Sequence, residues 1–253
     1  MMISQRVIRL SGALLATLCG SNVLAADETW EHQAAVYMVG ASIDGTVGIG
    51  PVEADINVGF DEILDNLELG FMGAYRGKRG PWAVSADLIY MALEGDKSGL
   101  GITGNGRAAA DFDETIFEVS AAYDLNNVLA AYAGLRYWNL DGDVEVTLGG
   151  PGGTVLTAGG GDDWVDPIVG LRLQLPLGDS WQFVVKGDVG GFGVGSDFAW
   201  QSTAYFAWQP GAHGNLLLGY RYLYNDYEAG SGSDRFRWDV GQGGPTAGFG
   251  WRF

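Results

Sequence analysis

Charged side chains recur within segments whose alternate positions are apolar or aromatic. In NLLLGYRYLY, residues 215–224, Arg221 stands between Tyr220 and Tyr222. Because successive side chains of an extended strand point to opposite faces, the arginine and the two tyrosines face opposite ways. The charged face must therefore contact water or pair with side chains of opposite charge. The charges that share this arrangement form a predicted network: Asp87, Glu118, Arg136, Arg172, Lys186, Asp188 and Arg221.

Both signs of charge occur on this face, and three interpretations are open. The charges could pair across a narrow barrel and fill it, because about eight strands leave room only for side chains. They could instead line a pathway whose charge tunes selectivity for small solutes, or form a ligand or catalytic site. Four further charges have the same predicted placement: Glu68, Arg76, Glu114 and Arg252.

Residues that could support nucleophilic catalysis are few. The chain has two histidines, His32 and His213, and one cysteine, Cys19. A Ser-His or Asp-His site needs the two side chains within about 3 Å of each other. The predicted topology places His32 near the start of the mature chain and His213 in a short turn, away from a nucleophile. We therefore predict no catalytic residue and no cofactor, and a barrel enzyme acting on lipid or peptide is the least favoured alternative.

Two acidic segments, 44–66 and 141–166, contain no basic residue. Carboxylates are hard oxygen ligands that suit Ca²⁺ or Mg²⁺. However, LDGDVEV and GGGDDWVD match no complete calcium-loop spacing. We interpret these carboxylates as solvated loop charges and assign no metal site, while divalent cations at the acidic outer loops stay open as partners.

The charge balance and the first 25 residues limit the partners and the location. The chain has 14 basic and 31 acidic residues, a net charge of −17. Residues 1–25 have the positive start, the apolar stretch and the small Val23 and Ala25 of a secretory signal, cut after Ala25. Removal of Arg6 and Arg9 leaves 12 basic against 31 acidic residues, about −19. This balance argues against nucleic acid as a partner, and loss of Cys19 leaves 26–253 as one domain without cysteine.

Segments of roughly ten residues with period two, separated by Gly, Asp, Asn and Pro, predict a transmembrane antiparallel up-and-down β-barrel. A closed barrel is the form in which strands can cross lipid, because every backbone N–H and C=O is then paired. Counts of eight and twelve strands stay open, since 44–59 and 143–161 could form hairpins above the membrane. We predict ten strands near 33–43, 67–77, 82–94, 109–124, 127–141, 164–177, 181–193, 197–209, 214–228 and 242–253.

The length of the connections predicts the direction of the strands. Short turns mark the periplasmic end and long loops the outer end. The long connections are predicted at 44–66, 95–108, 142–163 and 229–241. Within the first of them, DEILDNL at 61–67 has the spacing of a helix. It is either a short turn of helix over the barrel mouth or a lumen plug, formed by Asp61, Glu62, Ile63, Leu64 and Leu67.

The final residues, AGFGWRF, place an aromatic at every second position, with Phe249, Trp251 and Phe253 on one face. Aromatic residues form girdles at both membrane boundaries of such barrels. A terminal Phe with alternating aromatics resembles the signal that the outer-membrane assembly machinery recognises. We therefore predict an outer-membrane location, with membrane lipid and the assembly machinery as partners.

Several stretches are similar to a family of bacterial outer-membrane β-barrel proteins, porin-like in kind, for which no activity is established. They are IDGTVGIG (43–50), the segment 60–93, DDWVDPIVGLR (162–172), KGDVGGFGVGSDFAWQ (186–201) and GYRYLYNDYE (219–228). The resemblance implies a fold and a location. From the residues we favour a structural or surface-interaction barrel with a largely filled, charged lumen. A narrow porin-like channel is the alternative, and the oligomeric state is open.

Overall fold

The chain is almost entirely β-strand in the computed structural model, which describes residues 29–100, 106–148 and 154–253. The predicted signal peptide, residues 1–25, lies outside the described residues. In chain order the elements are β1 (Glu31–Val39), β2 (Ser42–Ile49), β3 (Val52–Val58), α1 (Phe60–Asp65), β4 (Leu67–Arg79), β5 (Trp82–Leu100), β6 (Gly106–Asp124), β7 (Leu129–Leu148), β8 (Thr154–Pro176), β9 (Trp181–Gly191), β10 (Phe198–Trp208), β11 (Gly214–Ala229), a 3₁₀ turn (Gly232–Asp234) and β12 (Phe236–Arg252).

Ten of these strands close into an antiparallel barrel. The wall runs from β1 to β4 and then in chain order to β12, which pairs back with β1. At this seam Gln33 lies opposite Arg252, and Val39 lies opposite Thr246. The prediction of a ten-stranded barrel is confirmed, and β2 and β3 form a hairpin outside the closed wall.

The first predicted strand, 33–43, is divided at residues 40–41. β1 and β2 lie end to end along β12, but β1 pairs with β4 on its other edge and β2 pairs with β3. The close approach of backbones at the break needs glycine, since a Cβ on Gly244 would lie 2.0 Å from the carbonyl oxygen of Gly40. The chain leaves the wall here, which is why 44–59 adds a hairpin and not two membrane strands.

The connections distinguish the two ends of the barrel. Four short turns, at 80–81, 125–128, 177–180 and 209–213, mark the periplasmic end. The prediction of long irregular loops at 95–108 and 142–163 is wrong, because β5–β6 and β7–β8 continue there as paired strands. These four strands have 19 to 23 residues, about twice the 9–11 needed to cross a bilayer. The tips of the two hairpins, 101–105 and 149–153, lie outside the described residues.

The predicted helix forms one and a half turns and ends earlier than expected. α1 ends at Asp65, where the Asn66 side chain donates to the Glu62 carbonyl oxygen at 2.7 Å. Leu67 already belongs to β4, and a bulge separates Leu67 from Leu69. The bulge interrupts the alternation, so Glu68 is exposed and its predicted inward placement is wrong. Among the described residues no helix is long and apolar enough to span a membrane.

The barrel exterior is an apolar band with aromatic rims. Leu216, Leu218 and Tyr220 of β11 are exposed, while Arg221 between the tyrosines is buried. On the periplasmic rim Trp181 stacks on Trp208, with ring centroids 6.0 Å apart. On β10, eight residues separate Trp208 from Trp200 of the outer rim, about 27 Å along the strand. Because the strands of such barrels tilt by about 35–45°, this spacing covers about 20 Å along the membrane normal, most of the height of about 25 Å of the apolar band.

Candidate functional site

The inward faces of the strands change character along the barrel axis. The lumen contains three zones, and the residues of each are given below. The periplasmic cavity lies near the short turns, the ionic layer crosses the middle, and the outer apolar cluster fills the end that carries the long hairpins. The ionic layer consists of Tyr37, Asp87, Glu118, Tyr132, Arg136, Lys186, Asp188, Gln201 and Arg221.

Arg136 is the centre of the ionic layer and is completely buried. Its Nη2 lies 2.8 Å from Glu118 Oε2 and 2.8 Å from Asp188 Oδ1. Lys186 pairs with the second oxygen of Glu118, and the Tyr132 hydroxyl donates to Asp188 Oδ2 at 2.8 Å. Each buried charge therefore has an oppositely charged, hydrogen-bonded partner, as burial in low dielectric requires.

The ionic layer continues across the lumen to the seam. Gln201 donates to Asp188 at 3.2 Å and accepts from Arg221 Nη2 at 2.6 Å. Arg221 Nη1 lies 2.8 Å from Asp87 Oδ1. The Tyr37 hydroxyl donates to Asp87 at 2.9 Å. One connected network, with three positive and three negative side chains, thus joins β1, β5, β6, β7, β9, β10 and β11.

Arg172 is the member of the predicted seven that does not join the ionic layer. It donates to the Gln174 side chain and contacts the Tyr205 hydroxyl at 3.5 Å. The other six predicted residues, Asp87, Glu118, Arg136, Lys186, Asp188 and Arg221, are brought together by the geometry above. Glu114, two inward positions further out than Glu118 on β6, accepts a hydrogen bond from Gln242 Nε2 at 2.6 Å.

The periplasmic cavity has a volume of about 220 Å³. It is lined by small and polar side chains such as Ser85, Ser120 and Thr203, together with Arg76 and Arg172. It reaches Gln33 and Gln182, which lie within three residues of the periplasmic ends of β1 and β9. The ionic layer forms its inner boundary, since Glu118, Lys186 and Arg221 also line it.

The outer apolar cluster is the part of the lumen that the sequence analysis missed. Trp164 stacks on Tyr227 with ring centroids 3.9 Å apart, and on Trp138 at 5.6 Å. The signal was available in the alternation, because Trp138 and Leu140 share the inward face of Arg136. The buried members are Ile43, Ile63, Ile89, Met91, Ile116, Trp138, Leu140, Trp164, Leu223, Tyr227, Trp238 and Val240.

The predicted plug residues contribute little of this packing. Ile63 is buried in the cluster and Leu67 packs against its edge. Asp61, Glu62 and Leu64 are exposed on the outer side of α1. The strands therefore supply most of the side chains that fill the outer half of the lumen.

The acidic segment 141–166 is not uniformly solvated, which corrects the interpretation of Asp166. This carboxylate is completely buried and accepts from the Ser196 backbone N–H and hydroxyl, both at 2.7 Å. Asn225 Nδ2 donates to it at 3.1 Å. These donors replace water and hold the outer turn between β9 and β10 against β8 and β11. Among the described residues no group of three or more His, Cys, Asp or Glu could hold a metal ion.

Both histidines lie at the periplasmic rim, against the aromatic ending. The His32 ring stacks on Phe253 at 5.5 Å, and the His213 ring stacks on Trp251 at 5.5 Å. His32 Nδ1 contacts the Tyr75 hydroxyl at 2.7 Å. Phe249, Trp251 and Phe253 are exposed on the lipid face, and their role as an assembly signal stays a prediction.

Outside the membrane, Arg235 connects the β2–β3 hairpin to the β11–β12 connection. Its Nη1 lies 2.7 Å from Glu53 Oε1, and its Nε lies 2.8 Å from Glu228 Oε1. Hydrogen bonds from Arg235 lower the pKa of both carboxyl groups, and its charge adds to the effect.

The chain matches no protein-family model and none of the curated proteins. Among solved structures it is similar to Ail, the attachment invasion locus protein of Yersinia pestis, at 14% identity and a TM-score of 0.41, over 89% of this chain and 99% of that one. It is similar to the toluene transporter TodX of P. putida at 10% identity and 0.35, over 90% of each chain. It is similar to Neisserial surface protein A at 15% identity and a TM-score of 0.30, over 88% of this chain and 97% of that one. Likeness at this level transfers no function.

The assignment of class and location follows from the barrel itself. A closed antiparallel wall leaves no open edge, an apolar band of membrane height surrounds it, aromatic rims border the band, and the charges lie inside. A soluble barrel would need the reverse, with its charges outside. The chain is an outer-membrane β-barrel protein.

Proposed function

We propose that this protein is a non-enzymatic structural or surface-interaction barrel whose lumen does not conduct. The single observation that supports this most is the packing of the outer half of the lumen. Trp138 and Leu140 are each 1% exposed, and the rings of Trp138, Trp164 and Tyr227 form one stack. A solute would have to displace this packed core and then break the buried ion pairs of the ionic layer.

The outer hairpins supply the surface for interaction. On β6 and β7, Asp111 lies opposite Asp143, and Asp113 lies opposite Asp141. All four are exposed. Like charges directly opposite one another destabilise a sheet, so their placement together on one exposed face favours a role in recognition. The partner that fits this face carries positive charge.

Planar-bilayer conductance of the refolded full chain tests the closed lumen. We expect no steady channels from the intact protein or from a variant lacking residues 60–66, because the aromatic stack remains. The variant that combines Trp138→Ala, Trp164→Ala and Trp238→Ala with Arg136→Ala removes the aromatic stack and breaks the ionic layer, and it should conduct. Trp208→Ala, which removes a lipid-facing ring, is the matched control and should stay silent. Steady channels from the intact protein would replace this proposal by the narrow-channel alternative.

A further inference from the structure

The periplasmic cavity is lined by arginines that form no ion pair. The ionic layer balances its own charges, three against three, but Arg76 and Arg172 stand outside it, as does Arg252 at the end of β12, which lines the same cavity. No carboxylate of the described residues lies within ion-pairing distance of the Arg76 or Arg172 guanidinium. Both side chains are half-buried, and both line the same cavity of about 220 Å³.

The guanidinium groups of Arg76 and Arg172 face one shared, partly enclosed space. Like charges in a partly desolvated space raise the energy of the site. In a chain with a net charge of −17, arginines without an ion pair in one lumen cavity are a local reversal of sign. A bound anion would remove the repulsion.

The groups around the arginines are hydrogen-bonding and uncharged. Tyr205 lies within 3.5 Å of Arg172 Nη2. Gln174 accepts from Arg172 and donates to Gln182 at 2.8 Å. This chain of amides holds the Arg172 guanidinium against the wall. Tyrosine and glutamine side chains offer donors and acceptors that suit the hydroxyl groups of a small polar molecule.

We propose that the periplasmic cavity binds a small hydroxylated organic anion of the phosphate-ester class, with Arg76 and Arg172 as its charge partners. Guanidinium groups recognise phosphate oxygens through paired, charge-assisted hydrogen bonds. The volume of about 220 Å³ lies below the roughly 300–1,000 Å³ of pockets for drug-sized ligands, so the ligand must be small. This site goes beyond the proposed surface role and does not depend on whether the barrel conducts.

Isothermal titration calorimetry on the refolded full chain in detergent, with glycerol 2-phosphate as the probe, tests this site. We expect saturable binding at one site, with no heat of binding from glycerol. Arg76→Gln and Arg172→Gln should each raise the dissociation constant at least tenfold, since each removes a charge-assisted contact. Arg172→Lys should fall between, because it keeps the charge and loses the paired geometry.

Arg79→Gln is the matched control. Arg79 lies on the same strand as Arg76 but is exposed outside the cavity, and the substitution changes the net charge equally. It should leave the dissociation constant within twofold. Absence of saturable binding by the intact, heat-modifiable barrel would overturn the proposal, as would an equal loss in Arg79→Gln. Calorimetry measures binding and bilayer recording measures conductance, so each of the two proposals can fail without the other.

Discussion

The outer and periplasmic halves of the lumen are formed by the same strands and are filled in opposite ways. On β7, Trp138 and Leu140 lie outward of Arg136 and are buried in a packed core. On β11, Leu223 and Tyr227 lie in that core, whereas Leu217 on the periplasmic side of Arg221 lines a cavity. The diameter is set by the strand number and tilt, so side-chain size alone decides which half is full. The ionic layer is the boundary between them.

The largest effect should come from removing the centre of that boundary. Arg136→Met leaves Glu118 and Asp188 buried without their shared partner, and we expect unfolding to become easier by about 3–5 kcal/mol. Arg172→Met is the matched control, because Arg172 is an inward arginine without an ion pair, and its loss should cost less than about 1 kcal/mol. Urea unfolding of the barrel in lipid vesicles, followed by tryptophan fluorescence, gives both values. Equal losses in the free energy of unfolding would show that the ionic layer and the cavity do not differ in this way.

A pair of leucines compares the two halves directly. Leu140→Ala creates a void in the outer apolar cluster and should reduce the free energy of unfolding by about 2–4 kcal/mol. Leu217→Ala only enlarges a cavity that already exists, and should reduce it by less than about 1 kcal/mol. The same urea unfolding experiment measures both variants. A larger loss for Leu217→Ala would mean that the periplasmic half is the better packed one.

The smallest effect concerns the hairpin outside the wall. Arg235→Gln removes the contacts to Glu53 and Glu228, and should leave global unfolding unchanged while amide protection of residues 42–58 falls. Both carboxyl groups have a lowered pKa in the folded protein. Their contribution is therefore present above their ordinary pKa of about 4.3 and is lost as the pH falls through the lowered value. Wild-type protection in this hairpin should approach that of the variant once the pH falls below the lowered pKa values, and a difference that stays constant with pH would contradict the assignment.

The alternation of residues was enough to predict the wall and its two faces. Arg221 between Tyr220 and Tyr222 places charge inside and aromatics outside, and ten strands follow from the turn signals. The same alternation holds Trp138 on the face of Arg136, so the outer apolar cluster could have been found by following each inward face to its end.

Other features depend on contacts between distant strands, which alternation cannot report. Asp166 looks like one more loop carboxylate until Ser196 and Asn225 approach it from other strands. Glu68 faces outward because of a bulge beside Leu67, and nothing in the local pattern marks that bulge. The pairing of β2 with β3 instead of β4 depends on the backbone approach at Gly40 and Gly244.

The seam between β1 and β12 has a consequence for the order of events during folding. Most neighbours in the wall follow one another along the chain and can zip together with short loop closures. The seam instead joins Gln33 to Arg252, almost the two ends of the described chain, so it must close last. Until then the sheet has two free edges, each able to template the addition of a strand from another chain. Closure of the seam through residues 246–252 therefore converts an aggregation-prone sheet into a cylinder in one step.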